Sequence, residues 1–493
     1  MEIDYFGNFK PIRNKLRKFH RDWVITILVN SLFDAYTSSK SRIETFLLPW
    51  ELLFLLSEVI TDSPRFYGRK QFTKDHLNQF IKMIRSFRTI PDSYISAVDH
   101  KKFFRSTAFQ QFWLQQPIRF LDIVRSSYIV ENCNWAKYKP SERISEQFGL
   151  DVSEVNIVFF CLFALLEKNN HFTIEDLGPL FKKIEKDKLA SFIKQFSKTQ
   201  PQLKSELQAN SIRVKDYGFK MHAIQAIWDT SLLRNGSNLL CIYQPLFTRQ
   251  IQFWLFRKLK DIDGRRFIDG FSKAFEDYIS KILDWAELDF IRESEIKHRI
   301  SDEKHVDFLI SIEDTHLIIE AKAIEARPLL QASQSEPQLK NEYRKTLTKG
   351  VLQALVVGRD MKNAGYDLSS VYAIVVTYRQ TYFSFATDTY DEFMKEEIDA
   401  FFSENNPEST IPLQRIFFCD VGAFELICSI AKKSKEELVR YLTTLGEHHI
   451  RVSGERKYTI DQLVIPDTFD QDPPSFIRPY TNNLENLGSE LFF

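Results

Sequence analysis

The chain is poor in the features that mark several large protein classes. It has only five cysteines in 493 residues (Cys133, Cys161, Cys241, Cys419 and Cys428), with no CxxC pair. They read as ordinary reduced core thiols, which fits a cytosolic setting, so a cytoplasmic location is the expectation. The ten histidines form no HExxH motif and no cluster with cysteine, which argues against structural zinc. Among the fifteen glycines no glycine-rich phosphate loop is visible, which disfavours a P-loop ATPase or a Rossmann enzyme. The longest apolar run, Val155 to Leu166, lies between Glu154 and Glu167. A bilayer span needs ~20 residues, so this run predicts a buried helix and no membrane partner. The first residues, MEIDYFGNF, are neither basic-then-apolar nor transit-like. Formal net charge is also missing, with 66 basic residues against 66 acidic ones.

What is present suits a large folded core. At 44% hydrophobic and 27% charged, the chain has material for two or three domains. Residues 1–260 predict an all-helical region. Apolar positions recur at helical spacing in Trp23–Tyr36, Glu44–Ile60, Lys74–Phe87, Val155–Glu167 and Lys182–Phe196. The Phe, Trp and Tyr content of this region predicts core packing. The polar stretch Lys258–Arg266, with Gly264, predicts a boundary. Residues 261–445 would form a second domain with its core at 265–380, and 446–493 a proline-bearing extension over the surface.

The run Lys304–Ala323 carries the strongest chemical signal. Two alternating segments flank Glu313 and Asp314. If these two residues form a hairpin turn, Ile312 pairs with Thr315, and Asp307 falls opposite Glu320. Side chains alternate along a strand, so Glu320 and Lys322 share that face. Val306, Phe308, Ile310, Ile312, Leu317, Ile319 and Ala321 make the other face wholly apolar. Two opposed carboxylates repel unless a cation or a proton intervenes. Hard oxygen ligands on short strands suit Mg²⁺ or Mn²⁺, and the neighbouring Lys322 can hold a water or balance phosphate charge. The bland alternative is a solvated strand face with a cross-strand ion pair. The triplet Glu-x-Lys recurs at Glu295 and Glu455, so the spacing to Asp307 carries the signal.

That spacing, D-x12-E-x-K, resembles the PD-(D/E)xK nuclease superfamily, with Val306 standing where many members have proline. The resemblance covers about residues 265–380, with Arg415–Asp420 as one further strand. It implies an α/β nuclease core, a mixed sheet flanked by helices in the order αβββαβ, behind a large all-α N-terminal region. The elements would be a helix at Asp269–Trp285, a strand at Phe290–Lys297, the hairpin, a helix at Gln338–Arg359 and a buried strand at Val371–Tyr378. Asp307 and Glu320 would hold metal, Lys322 would be the catalytic lysine, Glu276 the helix glutamate that aids the metal, and Gln353 the polar residue of the second helix. The implied activity is Mg²⁺- or Mn²⁺-dependent hydrolysis of DNA, with RNA such as transfer RNA left open. The layout also resembles prokaryotic restriction and anti-phage effectors, which implies antiviral defence. Related enzymes often pair, which implies a homodimer. The other reading is a degenerate nuclease fold, a binding or regulatory module whose helical half contacts a partner protein.

Basic charge is segregated. Phe9 to Arg21 holds Lys10, Arg13, Lys15, Arg17, Lys18 and Arg21 with no acid. Ser63 to Ile90 holds Arg65, Arg69, Lys70, Lys74, Lys82, Arg85 and Arg88 against Asp75 alone. Either stretch could contact phosphates or be a solvated helix face. Asn341, Lys345, Lys349 and Gln353 fall at four-residue steps, a stripe that could face a phosphate or solvent.

Overall fold

A computed structural model describes residues 5–37, 48–86, 121–209, 231–300, 306–323, 336–451, 460, 474–483 and 486. Most of these are helical, and a five-stranded mixed sheet lies in the second half. The predicted helices form close to their expected bounds: Arg21–Thr37, Pro49–Thr61, Lys74–Ser86, Val152–Lys168 and Lys186–Phe196. Val152–Lys168 starts at a capping box, in which the Asp151 carboxylate accepts from the Glu154 amide at 2.8 Å and Glu154 returns to the Asp151 amide. No single helix is long and apolar enough to cross a membrane among the described residues.

The first half is not wholly helical. Strands β1 (His171–Thr173), β2 (Leu232–Asn235) and β3 (Asn238–Cys241) form a small antiparallel sheet in the order β1-β3-β2. These strands are three or four residues long, too short to show a period of two in the sequence. The boundary stretch is also helical. Gln244–Asp263 runs into Gly264, whose φ of +50° suits glycine, and Arg265–Trp285 begins at once. One apolar cluster runs through it, joining Val158, Phe192 and Trp254 to Phe271, Ile319 and Phe424. The predicted aromatic packing is present here, where Trp135, Phe256, Phe267, Phe271 and Tyr378 stack or meet edge to face. The extension is not confined to the surface, since Ile460 and Ile477 are buried in this same cluster.

The large sheet has the order β4-β5-β6-β7-β8. Strand β4 is Phe290–Arg292, β5 Phe308–Ile312, β6 Thr315–Lys322, β7 Val371–Thr377 and β8 Ile416–Asp420. The first three pair antiparallel, while β6, β7 and β8 run parallel. Strand β4 is shorter than predicted, because Glu293–Arg299 is a helix. Ion pairs Glu293–Lys297 and Glu295–Arg299, at 3.1 and 3.3 Å, follow the i,i+4 spacing that favours helix there. After β8 come two helices, Val421–Lys433 and Lys435–Arg451, broken at Ser434.

Both faces of the sheet are covered. Phe308, Ile310, Leu317, Ile319 and Ile374 join the cluster under Arg265–Trp285, and Leu309, Ile318, Ala373 and Val375 join the one under Lys349–Asn363. The face bearing the acidic residues is therefore dry over most of its length, not polar throughout. A parallel segment flanked by helices is buried on both sides, which the alternating pattern of one strand does not disclose. Val306 precedes the strand and packs with Leu309 and Ile318, on the opposite side from Phe308.

Candidate active site

The hairpin register is the one expected from its turn. Ile312 pairs with Thr315 and Phe308 with Ile319, so Asp307 enters the strand opposite Glu320. Glu313 takes a φ of +49° in the turn, left-handed backbone that a non-glycine residue adopts at a cost of about 1 kcal/mol. Asp307 is held by its own side chain, whose Oδ2 accepts from the Ala321 amide at 2.7 Å. Its main-chain carbonyl accepts from the Glu293 amide at 3.1 Å.

Glu320 is only 3% exposed. Its Oε1 accepts from the Lys322 ammonium, and its Oε2 is buried without a hydrogen-bond partner. Burial pushes its pKa up, and the charges of Lys322 and Lys349 oppose that shift. Burial also drives Asp307 well above the ordinary carboxylate range, reinforced by the negative charges of Glu320 and Glu276. Lys322 makes a second hydrogen bond, to Gln353 Oε1 at 2.9 Å. Gly350 lets the helix lie close against β7: a Cβ there would stand 3.0 Å from Val375 Cγ1.

The structure thus brings Asp307, Glu320, Lys322 and Gln353 together. Glu276 stands on the helix that covers the other face of the sheet, near enough for its charge to reach Asp307, but its carboxylate is paired with Lys273 at 2.7 Å. Among the described residues no group of three or more His, Cys, Asp or Glu side chains is arranged to hold a metal ion. Within the expected stripe, Gln353 turns inward, Lys349 is exposed yet felt by Glu320, and Lys345 is exposed. A π-helical turn at Arg344–Thr348 interrupts that helix. Leu339, Tyr343, Leu347, Val351 and Leu355 are all buried, as the periodicity predicts.

Sequence reasoning missed Lys273. Its ammonium pairs with Glu276 and also feels the charges of Asp307 and Glu293, so it is the cation of the acidic helix at this site. Its spacing of three residues from Glu276 was the available signal. Thr377 was missed too. It is the register neighbour of Lys322, fully buried, and donates to the Arg379 and Cys419 carbonyls.

The N-terminal basic residues divide. Arg13 pairs with Glu58 at 3.1 Å, Arg17 grips Asp62 with two 2.8 Å bonds, and Arg85 binds Glu51 at 3.0 and 2.8 Å. These three are committed to joining helices rather than offered to solvent. Lys15, Lys18, Arg69 and Lys70 are exposed. Arg88 lies outside the described residues. No protein-family model, curated protein or solved structure matches the chain.

Proposed function

We propose that this chain is a nuclease of the PD-(D/E)xK kind that hydrolyses phosphodiester bonds in nucleic acid, with DNA favoured over RNA. The observation that carries the reading is the orphaned, buried Oε2 of Glu320, on a carboxylate close enough for its charge to raise Asp307. The order of elements supports it: the helix Arg265–Trp285, three strands with the short helix Glu293–Arg299 after the first, the helical segment 336–363 and the parallel strand β7. Two carboxylates raised by burial, Asp307 also by the charge of Glu320, form a donor set that fits a divalent cation, so Asp307 and Glu320 would hold Mg²⁺ or Mn²⁺. When bound, the ion would supply neutralising charge at phosphorus and a more acidic water.

The chain's own groups would do the rest. An ammonium has three donors, and Lys322 spends one on Glu320 and one on Gln353. The third remains for a phosphate oxygen or the attacking water. Gln353 fixes the direction in which it points. In the hydrolysis a water oxygen bonds to phosphorus, a phosphorus–oxygen ester bond breaks, and the departing oxygen takes up a proton.

A specific observation favours a second reading, a nuclease-like fold that binds without cutting. The Lys322–Glu320 ion pair neutralises the central carboxylate within the protein, and no third ligand joins it among the described residues. Incubating the purified chain with Mg²⁺ or Mn²⁺ and duplex DNA, single-stranded DNA and RNA separates the two. Cleavage that disappears in Asp307→Ala and Lys322→Ala, with unchanged circular dichroism, supports the nuclease. No cleavage of any substrate with either ion supports the binding module.

A further inference from the structure

Lys18 and Lys70 are far apart in sequence, yet the backbone holds their two segments against each other. The Gly68 amide donates to the Arg17 carbonyl and the His20 amide to the Lys70 carbonyl, both at 2.7 Å, and Phe19 bridges to Lys70. A Cβ on Gly68 would stand 2.6 Å from the Lys18 carbonyl oxygen, so glycine is what lets the segments touch. The contact fuses the two basic stretches into one surface. Segments 10–23 and 63–70 contain nine Lys and Arg residues against one acid, Asp22. The nearby acids Glu58 and Asp62 are already taken by Arg13 and Arg17. Lys15, Lys18, Arg65, Arg69 and Lys70 are left exposed.

The same segments carry the two large aromatics that stand out in solvent. Trp23 is 47% and Phe66 45% exposed, whereas the aromatics elsewhere in the described core are packed. Arg17 lies over the Phe66 ring at 4.3 Å and Arg65 at 4.9 Å. Exposed rings among cations offer stacking to unpaired bases and charge to phosphates. A duplex hides its base faces and would use only the charge. A lipid surface would want a continuous apolar face, but Phe9, Ile12 and Leu16 of the first helix are buried against the core. We propose that this surface binds single-stranded nucleic acid, with phosphates on Lys18 and Lys70 and bases against Phe66 and Trp23. The proposal rests on the nucleic-acid reading above and names its substrate class.

Binding can be read apart from cleavage. Full-length Lys322→Ala protein, in chelator, is titrated against labelled oligothymidylate, its duplex with oligoadenylate, and phosphatidylglycerol vesicles, with fluorescence anisotropy or sedimentation as readout. Each Lys contact should add about 0.7 to the salt slope, so Lys18→Ala with Lys70→Ala should flatten it by about 1.4. Phe66→Ala should weaken the single strand roughly ten-fold and leave the duplex unchanged. Should Phe66→Ala lower the melting temperature, Trp23→Ala serves in its place. Unchanged affinity in these variants, tighter binding to duplex, or binding to vesicles instead of oligonucleotide each overturns the proposal. Because neither metal nor Lys322 takes part, a failure to cut nucleic acid leaves this result readable, and the reverse holds too.

Discussion

The Lys322 ammonium donates to the Gln353 side-chain oxygen at 2.9 Å, tying the end of β6 to the helix that follows it. That bond sets where the third ammonium donor points. Gln353→Leu should therefore lower metal-dependent cleavage about ten- to hundred-fold, the usual loss when a partner of a reacting group goes. The fall should appear in kcat with KM little changed. An unaltered kcat would remove Gln353 from the site.

The raised pKa values of Asp307 and Glu320 give a stability prediction of definite sign. A carboxyl whose pKa is higher in the folded state binds more protons there than in the unfolded chain. The contribution of the pair to stability must then fall as pH rises above about 4, where the unfolded carboxyls ionise. In metal-free buffer it should weigh against the folded chain increasingly from mildly acid to neutral pH. Asp307→Asn keeps an oxygen for the Ala321 amide and removes the charge, so it should flatten that slope and raise the neutral melting temperature. A pH slope unchanged between wild type and Asp307→Asn would contradict the burial of the pair.

Metal should act against the same repulsion. Mg²⁺ or Mn²⁺ that binds only the folded chain raises its melting temperature, by about 2.7 kcal/mol of stability at a hundred-fold excess over Kd. Differential scanning fluorimetry should show a clear shift for wild type and little for Glu320→Ala. Equal shifts would place the ion elsewhere.

On the opposite face of the sheet, Arg125 is buried and holds Glu425 through two bonds of 2.6 and 2.7 Å, and Tyr278 donates to the same carboxylate at 2.7 Å. This network joins helices Leu121–Asn132, Arg265–Trp285 and Val421–Lys433. Arg125→Ala leaves a buried carboxylate unpaired and should cost about 3–5 kcal/mol in denaturant unfolding. Replacing both partners, as Arg125→Met with Glu425→Leu, should cost much less.

Close helix approach supports the acidic helix as well. At Gly270 a Cβ would fall 2.7 Å from Tyr138 Cβ, an atom that side-chain rotation cannot move aside. Gly270→Ala should lower stability by about 1–3 kcal/mol despite alanine's better helix propensity, visible as a lower urea midpoint.

Much of the local order was written in the chain. The hairpin register follows from its turn and its period of two, which is why Asp307 and Glu320 could be set opposite each other before any fold was known. The helices followed from their own periodicity, and β7, whose seven residues are all buried, from its β-branched and aromatic content. Glu293–Arg299 was misread because a short helix with a single buried residue, Ile296, has no apolar stripe to reveal it. The loop after β7 shows what a local pattern cannot hold: Tyr378 and Phe385 enter one core, Tyr382 a second and Phe383 a third.

The amino-acid order alone determined how the hairpin pairs and which residue types its acidic end presents. These depend on neighbours a few positions away, where turn geometry and side-chain alternation act. Tertiary structure alone decided that Gln353 meets Lys322 and that Phe19 bridges to Lys70. Those pairs are closed by long loops whose ends are brought together only when the shared core is buried, a free energy no local segment contains.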